Sequence, residues 1–206
     1  MVNLLNLIVI TNEIEKEIEA KYFINSKYEI RKVLQKLKLN LIKPEFLMKR
    51  KTFHSKTEAG WLKVRNKGNK ITMTYKNITG SGIDNVNEIE TTVGSFEKAS
   101  AIINQTSFKE TSYQENYREI WQNIEVEIVI DTWPYLQPYI EIEAKNKDIV
   151  EKYSSLLGFN LEHNAYFGSV DVLYKKQFNI LKDIFVNIKT ITFNNKEFEQ
   201  ILQNIK

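Results

Sequence analysis

The chain has 206 residues, which fits one domain with a core of its own, and its 7 glycines and 3 prolines leave little room for flexible linkers. It carries 29 basic and 26 acidic residues, so the net charge of +3 excludes the bulk basicity that would favour nucleic acid as a partner. The absence of cysteine excludes disulfides and thiolate metal sites, and it favours a reducing cytoplasmic location.

The first predicted segment, residues 1–12, is interpreted as a short leader. The apolar run at residues 4–10 lacks the basic flank and the small-residue cleavage site of a signal peptide. It is also too short to span a bilayer. We therefore expect a soluble, intracellular protein without a membrane partner.

Strand and helix patterns alternate through the first half of the chain. After a strand at 13–23, apolar residues recur at helical spacing and predict a helix over 27–39, which Lys43-Pro44-Glu45 is expected to break. Four strands are then predicted, at residues 46–54, 60–66, 70–77 and 86–93. A hairpin turn at 67–69 joins the second and third of these, and a loop at 79–82 joins the third and fourth.

The second half begins with a predicted helix from Phe96 to Asn104, for which Ser95 is a plausible N-cap. Three strands follow, at 116–122, 124–131 and 139–145, and then a helix over 147–157 that ends near Gly158. The tail contains a predicted helix at 195–205 with an apolar stripe. Together these elements predict an α+β fold dominated by antiparallel sheet.

Charged residues alternate along several of the predicted strands. Glu17, Glu19 and Lys21 would project from one face of an extended strand, and Glu141-Ile142-Glu143-Ala144-Lys145 repeats the pattern near the other end. The ordinary interpretation is that such residues form the wet faces of half-buried strands.

The sorting of charge by sign argues against that interpretation. The acidic pairs Glu17/Glu19, Glu88/Glu90 and Glu141/Glu143 contrast with the basic set of Lys63, Arg65 and Lys76. Sorting charges by sign adds little to the stability of a solvated face, because an exposed ion pair contributes only about 0–1 kcal/mol to the free energy of folding. The same sorting favours ligand binding inside a closed barrel, since bases can surround a bound anion while carboxylates hold metal ions.

Four motifs occur here in the order found in the CYTH superfamily: Glu17-x-Glu19-x-Lys21, Trp61-Leu62-Lys63-Val64-Arg65, the Lys76 strand, and Asp131 followed by Glu141-Ile142-Glu143. The chain resembles this superfamily of triphosphate tunnel metalloenzymes over about residues 13–175, and Ile130–Tyr135 is similar to a segment of bacterial class IV adenylyl cyclase-like members. The resemblance implies an eight-stranded antiparallel β-barrel with flanking helices. It divides the chain into the leader 1–12, a tunnel domain at 13–175 and a C-terminal extension at 176–206.

The resemblance also implies roles for individual residues. Divalent metal, Mg²⁺ or Mn²⁺, would be held by Glu17, Glu19, Glu141 and Glu143, with Asp131 assisting. Phosphate oxygens would be bound by Lys21, Lys63, Arg65, Lys76 and Arg118, with Arg50 as an addition to this set. Glu88 and Glu90 match an acidic pair that serves a second metal or orients water, so the catalytic set comprises Glu17, Glu19, Lys21, Glu88 and Glu90. Tyr117 and Asn116 stand where members often have a second base before Arg118, which suggests a weaker or differently shaped phosphate grip.

Three functions stay open on these grounds. The first is conversion of ATP to cyclic AMP and pyrophosphate by a class IV adenylyl cyclase-like enzyme. The second is a triphosphatase that acts on tripolyphosphate or on a small organic triphosphate such as thiamine triphosphate. The third is a module that binds a phosphorylated signalling nucleotide without turnover. The C-terminal helix is expected to pack on the barrel, to contact a second subunit in a homodimer, or to plug one end of the tunnel.

Overall fold

The computed structural model describes residues 15–78 and 86–205, with side chains for 18–77 and 87–205. The predicted leader 1–12 and the predicted loop 79–82 lie outside these residues. The described strands are β1 (Glu15–Glu17), β2 (Glu19–Phe23), β3 (Asn40–His54), β4 (Trp61–Asn66), β5 (Ile71–Ile78), β6 (Val86–Thr92), β7 (Lys109–Gln122), β8 (Val126–Thr132), β9 (Tyr139–Ala144) and β10 (Thr190–Ile191). The helices are α1 (Lys27–Lys36), α2 (Phe96–Ile103), α3 (Lys147–Leu156), α4 (Asp171–Phe178), α5 (Lys182–Phe185) and α6 (Lys196–Asn204).

The strands form one sheet in the order β1-β6-β5-β4-β3-β7-β8-β9-β2, and all neighbours on this path are antiparallel. Its two ends, β1 and β2, are separated in sequence by Ile18 alone, so they are the halves of a single bent strand. The sheet therefore curls back on itself with eight strands, which confirms the predicted tunnel fold.

Alternation within the strands decides which face is interior. On β3 and β4, Phe53 and Val64 point outward and pack against Ala99 and Ile103 of α2. The polar residues of the opposite face are also buried, for example Lys63 at 8% exposure. Because apolar cores cover the outside of the sheet, the charged faces are the lining of the barrel and not a solvated surface.

The region around Pro44 corrects the expected boundary between helix and strand. Helix α1 ends at Lys36, Lys38 turns the chain with a positive φ of 58°, and β3 already begins at Asn40. Pro44 therefore lies inside a strand instead of breaking a helix. Proline has no N–H to donate, and the register with β7 accordingly shifts on both sides of it, between Leu41 and Lys43 and between Lys43 and Phe46.

The predicted turn and helix signals of the middle of the chain are confirmed. Gly68 adopts a positive φ of 89° in the hairpin between β4 and β5, where the Lys67 N–H donates to the Lys70 carbonyl at 2.8 Å. Ser95 caps α2 by accepting from the Lys98 N–H at 3.2 Å. These local signals hold because each satisfies backbone groups without tertiary help.

The C-terminal residues pack on the barrel through a second apolar cluster. Trp133 and Tyr139 of the barrel meet Tyr174 of α4, Phe185 of α5 and Phe198 of α6 in this cluster. Only α6 was predicted from the sequence; α4, α5 and β10, which pairs in parallel with β7, were not. Among the described residues, the helices lack the length and apolar character that a membrane crossing requires.

Candidate active site

A cavity of about 640 Å³ lies inside the barrel, and charged side chains dominate its wall. The basic residues of the wall are Lys21, Arg50, Lys63, Arg65, Lys67, Lys76, Arg118 and Lys182. The acidic ones are Glu19, Glu88, Glu90, Glu127, Glu141, Glu143, Asp171 and Asp183. Eight bases thus face eight acids in the described part of the wall. All six residues predicted to bind phosphate lie here.

Three of the predicted metal ligands meet on adjacent strands. The register between β2 and β9 places Glu19 opposite Glu143 and Lys21 opposite Glu141. One carboxylate oxygen from each of Glu19, Glu141 and Glu143 lies within 4.8 Å of the others. Three hard oxygen donors so close together suit Mg²⁺ or Mn²⁺, so the side chains present fit the metal that the sequence predicts.

Glu141 stays ionised because three bases surround it. Lys21 lies 3.2 Å away and Arg118 lies 3.5 Å away. Burial alone raises the pKa of Glu141, but the charges of Lys21, Arg118 and Lys76 outweigh it and hold the pKa well below its ordinary value. Lys21 also contacts Glu19. Glu141 therefore presents a carboxylate and not a neutral acid to a ligand.

Glu88 and Glu90 do not join this cluster. Arg65 contacts Glu88 at 3.3 Å and Glu90 at 2.8 Å, and Lys76 contacts Glu88 at 2.6 Å. Burial raises the pKa of Glu90, yet Arg65 and Lys67 more than offset that effect and lower it to about 2. The acidic pair of β6 is thus held by the bases of β4 and β5.

Asp131, predicted to assist the metal ligands, is bound by neighbouring donors of the barrel. It is fully buried and accepts hydrogen bonds from Arg118 Nε at 2.8 Å and Nη2 at 2.6 Å, from Asn116 at 3.1 Å and from Tyr139 at 3.0 Å. Burial lowers the pKa of Arg118, but Asp131 and Glu141 more than compensate and raise it. In this arrangement Asp131 orients Arg118 and lies apart from the three-glutamate cluster. The side chain of Glu17 lies outside the described part of the chain.

Several lining residues were not predicted. Lys67 continues the alternation of Lys63 and Arg65 into the hairpin, so extending the pattern by one step would have found it. His54 is half-buried in the wall and contacts Thr111 Oγ1 at 2.8 Å. Burial, followed by Lys182 and Lys63, lowers the pKa of His54.

One part of the wall comes from the C-terminal residues. Gly168–Asp171 line the cavity, as do Lys182 and Asp183 of α5. They belong to short elements without strand alternation, so no pattern in the sequence links them to the lumen. The tail thus contributes to the site as well as packing outside the barrel.

Comparison with known proteins agrees with this geometry. The family model of the CYTH domain matches residues 15–157. A Methanocaldococcus jannaschii protein named "putative adenylate cyclase" is 30% identical over 146 residues, which is 66% of this chain and 81% of that protein.

Solved structures share the fold. The PH1012 protein of Pyrococcus horikoshii has a TM-score of 0.66 at 21% identity, and the alignment covers 76% of this chain and 98% of that one. A Hippeastrum protein, named a "putative adenylyl cyclase" and described as having a dominant triphosphatase activity, has a TM-score of 0.53 at 14% identity, with 81% and 98% covered. On the family-model match and the shared tunnel architecture, the chain belongs to the CYTH domain family.

Proposed function

We propose that this chain is a divalent-metal-dependent enzyme that converts ATP to cyclic AMP and pyrophosphate inside the barrel. Members of the CYTH family are typically metal-dependent enzymes that bind triphosphates. The observation that carries the proposal is the cluster of Glu19, Glu141 and Glu143 in the same lumen as the predicted phosphate-binding bases. The name of the Methanocaldococcus jannaschii relative favours the cyclase reaction.

The three-glutamate cluster would hold the metal. A bound Mg²⁺ or Mn²⁺ supplies Lewis-acid stabilisation of the charge on phosphate oxygens. Lys21 bridges Glu19 and Glu141, so it fixes the direction of both carboxylates and leaves Glu143 as the most exposed member of the cluster. The protein thus supplies a pre-oriented set of oxygen donors.

The bases would hold the triphosphate. Arg65, Lys76 and Arg118 are each positioned by a carboxylate, so their charged groups are in place before the ligand arrives. In cyclisation the ribose 3′-hydroxyl releases its proton to solvent, its oxygen bonds to the α-phosphorus, and the bond from that phosphorus to the bridging oxygen of the leaving pyrophosphate breaks. The bases would stabilise the negative charge that develops on the leaving pyrophosphate.

The size of the cavity supports an organic triphosphate. Its volume of about 640 Å³ falls within the range of roughly 300–1,000 Å³ typical of pockets for small organic ligands. A triphosphate chain alone would leave much of that space unfilled. A nucleoside attached to the triphosphate would occupy it.

A triphosphatase is the second candidate. The Hippeastrum protein of the same fold is described as having a dominant triphosphatase activity. The same bases would then stabilise the terminal phosphoryl group during attack by water, and orthophosphate would leave. The two reactions differ in the nucleophile and in the phosphorus atom attacked, but they would use the same phosphate-binding bases.

A product assay separates these functions. The purified protein is incubated with Mg²⁺ or Mn²⁺ and with ATP or tripolyphosphate, and the products are resolved by ion-exchange chromatography. Cyclic AMP with pyrophosphate supports the proposal. Orthophosphate from tripolyphosphate, with ATP unchanged, establishes the triphosphatase instead. Tight binding without any product identifies a module that binds without turnover.

A matched pair of variants links turnover to the acidic cluster. Glu143→Gln removes a donor charge from the cluster and is expected to lower turnover by about 100-fold or more. Glu125→Gln is the control, because Glu125 pairs with Lys152 outside the cavity at 2.9 Å. Thermal unfolding checks that both variants fold. Equal turnover in the two variants would refute the assigned role of the cluster.

A further inference from the structure

Two buried hydrogen-bond donors in the cavity wall have no acceptor in the described part of the chain. They are Nε of Arg50 and Nε1 of Trp133. Arg50 is 6% exposed and Trp133 is 2% exposed, and both residues line the cavity. The guanidinium carbon of Arg50 lies 4.5 Å from the centroid of a Trp133 ring, so the two side chains are in contact. Buried polar groups are nearly always paired, and two orphans side by side call for an explanation.

The charge of Arg50 is only partly compensated, because the Asp131 carboxylate raises the pKa of Arg50 but does not lie at salt-bridge distance. Its Nη2 donates to the amide oxygen of Asn116, which is neutral. Within the described residues, no carboxylate lies at salt-bridge distance from Arg50. Burial, and then the like charges of Arg118 and Arg65, lower the pKa of Arg50 to about 10. An anion beside this guanidinium would remove the cost of burying it.

Apolar C-terminal residues pack around Trp133 at this part of the cavity wall. The Trp133 ring meets the Tyr174 ring of α4 edge-on at 6.5 Å, and Phe185 of α5 joins the same apolar cluster. The Tyr174 hydroxyl donates to the carbonyl of Pro134 at 2.7 Å and so anchors the residue next to Trp133. Both donors therefore belong to a part of the cavity wall that these apolar residues support from behind.

We propose that Arg50 Nε and Trp133 Nε1 form an oxyanion subsite that donates two hydrogen bonds to a phosphoryl group of the bound triphosphate. The inference rests on the proposed function and deepens it by assigning a contact to an indole. A phosphoryl oxygen carries negative charge and accepts several hydrogen bonds, so it satisfies both donors and the guanidinium charge at once. The indole owes its position to α4 and α5, which lie beyond the residues 15–157 matched by the family model.

Indole N–H resonances test the subsite directly. The chain has 3 tryptophans, so a ¹⁵N-labelled sample gives three indole signals, and the Trp133→Phe variant identifies the one from Trp133. Tripolyphosphate with Mg²⁺ is expected to shift the Trp133 signal downfield, because its N–H gains an acceptor. Trp121 is an internal control, since its Nε1 already donates to Glu119 at 2.5 Å. Its signal should stay in place.

Affinity provides the second readout. Trp133→Phe keeps an aromatic ring but cannot donate, and it is expected to weaken tripolyphosphate binding about 3- to 10-fold in calorimetry. Tyr153→Phe is the matched control, because it removes a largely buried hydroxyl donor of another apolar cluster, whose acceptor Glu125 lies outside the cavity wall. It should leave the affinity unchanged.

The outcomes separate this inference from the proposed function. Tripolyphosphate binding without a shift of the Trp133 signal, or with equal loss of affinity in both variants, overturns the subsite alone. No calorimetric binding of either tripolyphosphate or ATP overturns the proposed function and the subsite together. A shift confined to Trp133, with weaker binding only in Trp133→Phe, supports both.

Discussion

Single residues hold charge inside the barrel by sharing partners. Arg65 Nη2 contacts Glu88 and Glu90 and also donates to Thr74 Oγ1 at 3.0 Å, so one guanidinium group serves two carboxylates and a hydroxyl. Thr74 in turn donates to Glu90 at 2.8 Å. Removing one member of such a network leaves another buried charge without a partner. The resulting loss of folding free energy is larger than the net contribution of the intact pair.

The depressed pKa of Glu90 makes its contribution to stability depend on pH. Its folded-state pKa of about 2 lies below the ordinary value of 4.5, so Glu90 stabilises the fold above pH 4.5, and this stability is lost as the pH falls toward 2. Glu90→Gln is expected to lower the free energy of unfolding at pH 7 by about 1 kcal/mol, a value reduced for the partial exposure of the group. Urea unfolding at pH 7 and at pH 3 measures the difference.

The difference between Glu90→Gln and the unchanged protein should shrink between pH 7 and pH 3. Glu58→Gln serves as the control at an exposed position, where the change in unfolding free energy should stay within about 0.5 kcal/mol. A loss of the same size at both pH values would contradict the assigned ion pair.

At the scale of elements, Gly60 sets how closely β4 approaches β5. It precedes Trp61 with a φ of +76°, and a Cβ at this position would lie 2.4 Å from the carbonyl oxygen of Lys76. Gly60→Ala is therefore expected to destabilise the fold by about 2 kcal/mol or more, because neither the backbone angle nor the carbonyl oxygen can adapt cheaply. Denaturant unfolding provides the measurement.

Gly94→Ala is the matched control for that prediction. A Cβ at Gly94 would meet no atom within 4 Å, so the substitution should be close to neutral. If both alanine variants unfold at the same denaturant concentration as the unchanged protein, the close approach at Gly60 does not constrain the strand.

Elements with a strong local signal were predictable. The alternation in β4, β5 and β9 follows directly from the pleat of a strand, and the inward residues Lys63, Arg65 and Glu141 were identified in this way. The N-cap of α2 at Ser95 was identified because a serine ahead of an apolar helical stripe satisfies the free N–H groups.

Other elements depend on contacts that no local pattern records. Helix α4 has no side-chain cap and α5 has 4 residues, so both owe their position to the cluster around Trp133. Strand β7 begins at Lys109, earlier than the predicted residue 116, because its polar first half pairs with β3. The orphan donors of Arg50 and Trp133 likewise appear only once distant segments meet.

For the whole molecule, the balance of eight acids and eight bases in the described cavity wall bears on what can enter. A triphosphate carries about four negative charges near neutral pH, which a wall of zero net charge does not neutralise. Two divalent ions would cancel those charges. The wall is therefore matched to a metal–triphosphate complex and poorly matched to the bare anion.

Removal of divalent metal is thus expected to weaken tripolyphosphate binding by about tenfold or more. Calorimetric titrations in Mg²⁺ and in excess chelator at the same ionic strength measure the change. Inorganic sulfate, titrated under both conditions, controls for a general effect of salt on the bases. Equal affinity for tripolyphosphate with and without Mg²⁺ would show that the wall carries more positive charge than its residues indicate.

The bent strand formed by β1 and β2 also determines at what stage of synthesis the three-glutamate cluster can assemble. Its halves pair with β6 and with β9, so Glu19 reaches its partner Glu143 only after more than a hundred further residues have been added. Such long-range pairing is slow to form, because closing a long loop costs entropy. On a ribosome, which extends the chain from its N-terminus, no nascent chain can bind metal at this cluster before Glu143 has emerged. The three-glutamate cluster is therefore complete only after synthesis has passed Glu143 and β2 can pair with β9.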